Sequence, residues 1–244
     1  GRDHELRVLL RALNRAREGH GRAAFLVGEK GVGKSRIAMR LLAEADGQGM
    51  RVLHARCSMI GTPVPFGALI EPLLTLARVS PLDVSGLGPY LRPLSALVPD
   101  WRRGDEQDDA PPPLPIVAEA VLRLLTLVGR DAGCVLFLDD LHRADAETLF
   151  VVEYLVSKLE HAGTLLIGAI IDEPSAALRV ARSAARDGLC VLRDIGGLAL
   201  ADVRSMITAC LDGGPVTAEV VGYLTTLSAG SPFVVQELLR ELRQ

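Results

Sequence analysis

Three stretches of this chain, residues 23–27, 134–138 and 164–171, are apolar at nearly every position. A strand with one wet face alternates apolar and polar residues. A run that is apolar at both parities needs cover on both faces, which is the condition of a strand inside a parallel α/β sheet. Segments 51–56 and 189–194 add two strand candidates. Between them lie helical patterns. Leu6, Leu9, Leu10 and Leu13 recur at helical spacing within 5–17, and further helices are predicted over 34–45, 68–78, 115–128, 146–160 and 174–186. This alternation predicts an α/β fold whose parallel sheet is covered by helices on both faces. After Gly196-Gly197 the strands stop, and helices at 201–211, 217–228 and 231–243 predict a small helical lid subdomain. The expected division is a core over 1–195 and a lid over 196–244, with the two glycines as the pivot. Within the core, 61–115 reads as an irregular, Pro-rich insertion around the helix at 68–78. Its acidic, proline-laden part, 104–115, is expected to be a mobile surface loop. Tyr90 and Trp101, in that insertion, read as local packing anchors rather than a base-stacking platform.

With 244 residues, 49% hydrophobic and 23% charged, the chain has enough apolar mass for a full core and too little charge for disorder. Its net charge is −3, its pI is near 6.0, and Lys and Arg form no stripe that would track a phosphate backbone. Direct nucleic-acid binding by this segment is therefore disfavoured. Four widely spaced cysteines without a Cys-x-x-Cys pair argue against a zinc site or a disulfide framework, and for thiols in a reducing compartment. No apolar run approaches the roughly 18 residues that span a bilayer, and the N-terminus has no secretory pattern. The expectation is a cytoplasmic protein without a membrane partner. Because the chain opens without Met and stops inside a helical pattern, it is expected to be a piece of something longer.

The chemistry is concentrated in Gly28-Glu29-Lys30-Gly31-Val32-Gly33-Lys34-Ser35, which lies between a predicted strand and a predicted helix. Glycines let the backbone curl so that its N–H groups converge on phosphate oxygens, and the helix that follows adds the positive end of its dipole. Lys34 is placed to reach the β- and γ-phosphates and to stabilise charge during transfer, and the Ser35 hydroxyl to ligate Mg2+. Arg36 follows in the first helical turn. This is the pattern of a P-loop, and its expected ligand is Mg-ATP or ADP.

A second element, residues 134–140, is an apolar strand that delivers Asp139 and Asp140 at its C-terminal end, where ligands sit in open α/β sheets. Asp139 is expected to hold Mg2+ through its water shell, and Asp140 to orient or deprotonate an attacking water. His142 has no neighbouring His or Cys, so it reads as a polar strand-end residue close to the phosphate site rather than a metal ligand.

Five segments occur in a telling order: Gly1-Arg2-Asp3-His4-Glu5-Leu6, the loop at 28–35, Pro63-Val64-Pro65-Phe66-Gly67, Leu138-Asp139-Asp140-Leu141-His142-Arg143-Ala144-Asp145 and Gly230-Ser231-Pro232-Phe233. Together they resemble the signal-transduction ATPases with numerous domains, an AAA-like P-loop group. The resemblance is greatest to the ATPase module of large LuxR-type transcriptional regulators of the MalT-like kind. It implies that Gly1 and Arg2 line the adenine side of the pocket and that Pro232 presses on the base, so that nucleotide bridges core and lid. It also implies a regulatory switch, with self-association on activation and DNA contacted only through a domain absent from this chain. Family members often carry an aromatic residue where Arg143 stands, and an Arg near the end of the strand at 164–171, where this chain has Ile171. The missing Arg implies slow or absent hydrolysis. Two other readings stay open: a nucleotide-binding scaffold that never hydrolyses ATP, and a phosphotransferase whose acceptor pocket is the Pro-rich insertion. The second lacks the Arg-rich lid usual in small P-loop kinases.

Overall fold

The computed structural model describes residues 2–58, 64–79, 82–102, 111–211 and 216–241. Gly1, Gly61, Pro63, most of the acidic stretch at 104–115 and the last residues of the final predicted helix lie outside the described residues.

Five strands, β1 (Arg22–Gly28), β2 (Arg51–Arg56), β3 (Cys134–Asp139), β4 (Thr164–Ile171) and β5 (Cys190–Asp194), form one parallel sheet in the order β2-β3-β4-β1-β5. Their alternation divides the core in two. Ala23, Phe25 and Val27 of β1, Cys134, Leu136 and Leu138 of β3, and Leu166 and Ile170 of β4 enter one layer. Ala24, Leu26, Val135, Phe137, Leu165, Ile167 and Ala169 enter the other. Both parities are buried because both faces are covered, as the uninterrupted apolar runs require. The second layer is closed by α1 (Asp3–Arg17) through Leu9 and Leu13 and by α2 (Lys34–Gly47) through Ile37 and Leu41. In α1 the first turn carries Asp3 and Glu5 and the last turn Arg15 and Arg17, which suits the helix dipole.

The first layer is closed by α3 (Gly67–Val79), α5 (Leu114–Val128), α6 (Ala146–Lys158) and α7 (Ala176–Arg186). Helix α7 begins two residues later than the pattern from Pro174 predicts, because Ser175 caps it and accepts from the Leu178 amide at 3.2 Å. The insertion differs from its irregular reading. Besides α3 it holds a 3-10 segment (Val84–Tyr90), the short helix α4 (Leu91–Ser95) and a second 3-10 turn (Pro99–Trp101). Pro89 lies inside the first 3-10 segment next to a kink at Gly88, Pro93 in the first turn of α4, and Pro99 opens the second 3-10 turn, so each piece is too short for periodicity to register. Even so, Leu87, Leu91, Leu94, Leu97, Val98 and Trp101 are buried in the first layer. Trp101 is thus a packing anchor, and the half-buried ring of Tyr90 lies under the Arg123 guanidinium, 5.6 Å from its centroid.

After β5 come α8 (Leu200–Cys210), α9 (Ala218–Ser228) and α10 (Pro232–Glu241). They share a separate core of Val203, Ile207, Val221, Leu224, Val235 and Leu239. The link to the sheet is close-fitted. A side chain at Gly197 would overlap the Ala229 carbonyl, and the Leu198 amide donates to the Gly230 carbonyl at 2.7 Å. No helix among the described residues is long and apolar enough to cross a membrane.

Three of the four thiols are buried, and burial pushes Cys57 and Cys134 up to about 12 and Cys190 to about 11, from 9.0. The stability gained from burying neutral thiols is complete below pH 9 and is lost as pH rises toward 11 to 12, because the unfolded thiols ionise first. A thiol reagent at neutral pH should therefore modify half-buried Cys210 in the native protein and reach the other three only on unfolding. Mass spectrometry of labelled peptides checks this.

Candidate functional site

The loop between β1 and α2 has a structural demand at each glycine. A Cβ at Gly28 would overlap the Ile195 carbonyl, while Gly31 (φ 83) and Gly33 (φ 99) adopt left-handed conformations that side chains disfavour. Gly33 is the N-cap of α2 and supplies no side chain to its first-turn amides, so these face the loop as a ready anion site. Val32 is buried in the second core layer and fastens the loop to it, whereas Glu29, Lys30 and Arg36 are exposed at its rim. Lys34 is 7% exposed, and its ammonium donates to the carbonyls of Gly28 and Glu29, both at 2.8 Å. Burial lowers its pKa, and Asp140 and Asp139 oppose that pull. The ammonium therefore rests on its own loop, next to where phosphate oxygens would lie.

Strand β3 brings the carboxylates to the same edge. Ser35 donates its hydroxyl proton to Asp139 Oδ1 at 2.8 Å, and the Asp140 amide donates to that oxygen at 3.0 Å. A hydroxyl and a carboxylate in hydrogen-bond contact are hard oxygen donors suited to Mg2+, which takes one or two protein oxygens and keeps much of its water. The residues fit that ion. Asp140 adopts a left-handed backbone (φ 52), a conformation Asp tolerates better than most residues, and starts a 3-10 turn over Leu141–Arg143. Its Oδ2 accepts from Arg56 Nε at 2.9 Å. That partner is invisible in the sequence, because it depends on the β2–β3 register that sets Arg56 beside Asp139.

Residues from both ends of the chain meet the loop. Arg2 donates to the carbonyls of Val32, at 3.0 Å, and of Gly196, and pairs with Glu5 at 3.5 Å. Its guanidinium thus ties the loop to the linker before α8. Pro232 comes within 3.9 Å of where a Cβ of Gly33 would stand. Beyond it, the Phe233 amide donates to the Gly31 carbonyl at 3.3 Å, a contact that sequence reasoning missed. Ile171 pairs with Gly28 at the end of β4, and the residues that follow it are acidic: Asp172, which pairs with Arg182 at 2.9 Å, and Glu173. His142 has a buried Nδ1 without a partner, and burial lowers its pKa, which favours a neutral imidazole beside Asp140.

Comparison with solved structures shows the same fold at low identity. A structure of Cdc6p from Pyrobaculum aerophilum aligns with 98% of this chain and 60% of its own, at a TM-score of 0.61 and 16% identity. The Orc1 protein of Aeropyrum pernix, in a complex with DNA, aligns with 100% and 61%, at 0.56 and 19%. A mutant of RuvB from Thermotoga maritima aligns with 100% and 62%, at 0.56 and 14%. The chain thus spans about three fifths of these relatives' length. No curated protein sequence matches it. The profile of the AAA ATPase domain matches residues 1–167, which contain the glycine loop, both acidic residues and strands β1 to β3. The chain belongs to the AAA ATPase domain family.

Proposed function

We propose that this chain binds Mg-ATP and ADP at the edge of its sheet and acts as a regulatory switch, the nucleotide-binding module of a larger LuxR-type transcriptional regulator. Within the AAA family that reading is the finer one, and it rests on the motif order that resembles the MalT-like signal-transduction ATPases. Residues 28–36 cradle the phosphates, with Lys34 on the β- and γ-phosphates. Ser35 and Asp139 hold Mg2+, whose charge would offset that of the phosphates. Asp140 orients or deprotonates the attacking water. Arg2 and Pro232 belong to the adenine side, where core (1–195) and lid (196–244) meet. The module works in the cytoplasm, self-associates on activation and reaches DNA only through another domain.

The observation that carries the reading is the juxtaposition of a buried Lys34 ammonium with the Ser35–Asp139 pair at 2.8 Å, in a loop whose Gly31 carbonyl accepts from the Phe233 amide of α10. Nucleotide bound there contacts loop and lid at once. A triphosphate and a diphosphate can therefore favour different lid positions, as a switch requires. Calorimetry with Mg-ATP and Mg-ADP should show binding of both. Small-angle scattering and light scattering should then show a nucleotide-dependent difference in compactness or oligomer size. Equal affinities with identical size and shape in both states would sink the switch.

One observation favours a non-hydrolysing scaffold as second reading. Asp140 is engaged by Arg56, and the end of β4 presents Ile171 and two acids rather than a cation for the γ-phosphate. A single-turnover measurement with Mg-ATP separates the two.

A further inference from the structure

One carboxylate ties two segments, distant in sequence, beside the site. Asp145 is the N-cap of α6, where its Oδ1 accepts from the Thr148 amide and its Oδ2 from the Thr148 hydroxyl, both at 2.7 Å. The same two oxygens reach across to the entry of α3: Oδ1 accepts from the Phe66 amide at 2.9 Å and Oδ2 from the Gly67 amide at 3.2 Å. Asp145 thus caps two helices at once, each with the positive end of its dipole toward the carboxylate. Phe66 is held there at φ 60. A bulky residue rarely adopts that conformation, and such strain persists only where the surroundings over-determine it. Asp140 (φ 52) is left-handed too, and among the described residues Ala229 is the one other non-glycine that shares this backbone.

Asp140 and Asp145 are the two ends of one turn. Within it the Arg143 amide donates to the Asp140 carbonyl at 2.8 Å and the Ala144 amide to the Leu141 carbonyl at 3.1 Å. Its start is fixed as well, because the Cys57 amide, next after Arg56, donates to the Asp139 carbonyl at 2.9 Å. The chain leaving β2 therefore meets the turn at Asp139, and the chain entering α3 meets it again at Asp145, with Asp140 between. We propose that Asp145 is a positioning residue for hydrolysis: by tying the Phe66 and Gly67 amides to the end of this turn, it holds Asp140 in the left-handed conformation that sets its carboxylate against the attacking water. The inference rests on the nucleotide-binding reading above and deepens it. Its four hydrogen bonds are all to protein groups outside the phosphate loop, so loosening them should separate turnover from binding.

Two substitutions divide the capping role from the positioning role. Serine caps a helix about as well as aspartate but is too short to bridge to α3, so Asp145→Ser keeps the cap of α6 and releases Phe66 and Gly67. Asp145→Asn keeps one accepting oxygen, and with it the Phe66 tie, but cannot accept from Gly67. In the whole chain at saturating Mg-ATP, the single-turnover rate should fall roughly tenfold for Asp145→Ser and about threefold for Asp145→Asn, below the roughly hundredfold that a misplacement of about 1 Å can cost. ATP affinity, read by calorimetry, should stay within about twofold of wild type in both, because the phosphate loop is untouched. The serine effect should vanish in an Asp140→Asn background, whose residual turnover is followed over hours. Wild-type rates in both variants overturn the proposal, as does a wild-type rate in the asparagine variant alone should circular dichroism show the serine variant unfolded. An affinity loss as large as the rate loss would make the role structural, and a further tenfold loss on top of Asp140→Asn would place the action elsewhere than on Asp140; either overturns it. A wild-type chain that binds Mg-ATP without turning it over overturns this role of Asp145 and leaves nucleotide binding standing, whereas one that binds neither ATP nor ADP overturns the nucleotide-binding reading itself.

Discussion

Lys34→Ala is expected to lower the affinity for Mg-ATP by about a hundredfold or more while leaving the fold in place. The ammonium is nearly excluded from water, and its protein partners are two backbone carbonyls of its own loop. Bound phosphate would replace those neutral acceptors with charged ones, and a hydrogen bond to a charged group contributes about 1.5–3 kcal/mol. Two such contacts account for the predicted loss. The fold should tolerate the change because the Gly28 carbonyl keeps the Asp172 amide as a donor and Glu29 lies at the exposed rim. Burial, moreover, disfavours the charge that the substitution removes. Calorimetry gives the affinity and circular dichroism the fold. Binding within a few fold of wild type, in a folded variant, would place the phosphates elsewhere.

The second large effect concerns turnover. Asp140→Asn should leave ATP affinity within a few fold of wild type and reduce single-turnover hydrolysis by roughly 10²–10⁴, the usual contribution of a positioned general base. Arg56→Ala should act in the opposite direction. Arg56 occupies Asp140 Oδ2 at 2.9 Å, and an Asp140 so engaged is poorly placed to take a proton from water. The Arg56 side chain is 72% exposed, so solvent screens the pair and the hold is weak. Deleting the guanidinium removes this weak restraint on Asp140 and should raise the rate several-fold. Rapid-quench measurements on both variants and the double variant decide. A rate that falls in Arg56→Ala would show that Arg56 serves the phosphate rather than restraining Asp140. No turnover in wild type or Arg56→Ala would assign the chain to the scaffold class.

How much of this could be read from residues in order depends on the range of the interactions. The sheet was legible because burial on both faces leaves an uninterrupted apolar run, a local pattern that needs no partner to be recognised. The glycine loop was legible for the same reason: its curl is set by residues within one turn of chain, and the strand and helix that position it are contiguous with it. Asp139 and Asp140 followed as the end of an apolar strand. Within the insertion, α4 and the two 3-10 segments are too short to show a helical period in the sequence, and packing of Leu94 and Trp101 against the first core layer is what holds them. Three features of the site needed the assembled fold. Arg56 meets Asp140 only through the β2–β3 register, Arg2 reaches Val32 and Gly196 from the opposite end of the chain, and Ser231 and Phe233 reach Gly31 only once the helical core of α8 to α10 has formed. A phosphate cradle can be written in eight consecutive residues, because its donors are backbone amides fixed by local dihedral angles. What restrains Asp140 and what covers the loop are contacts between segments distant in sequence, and no local pattern encodes which distant residue will arrive.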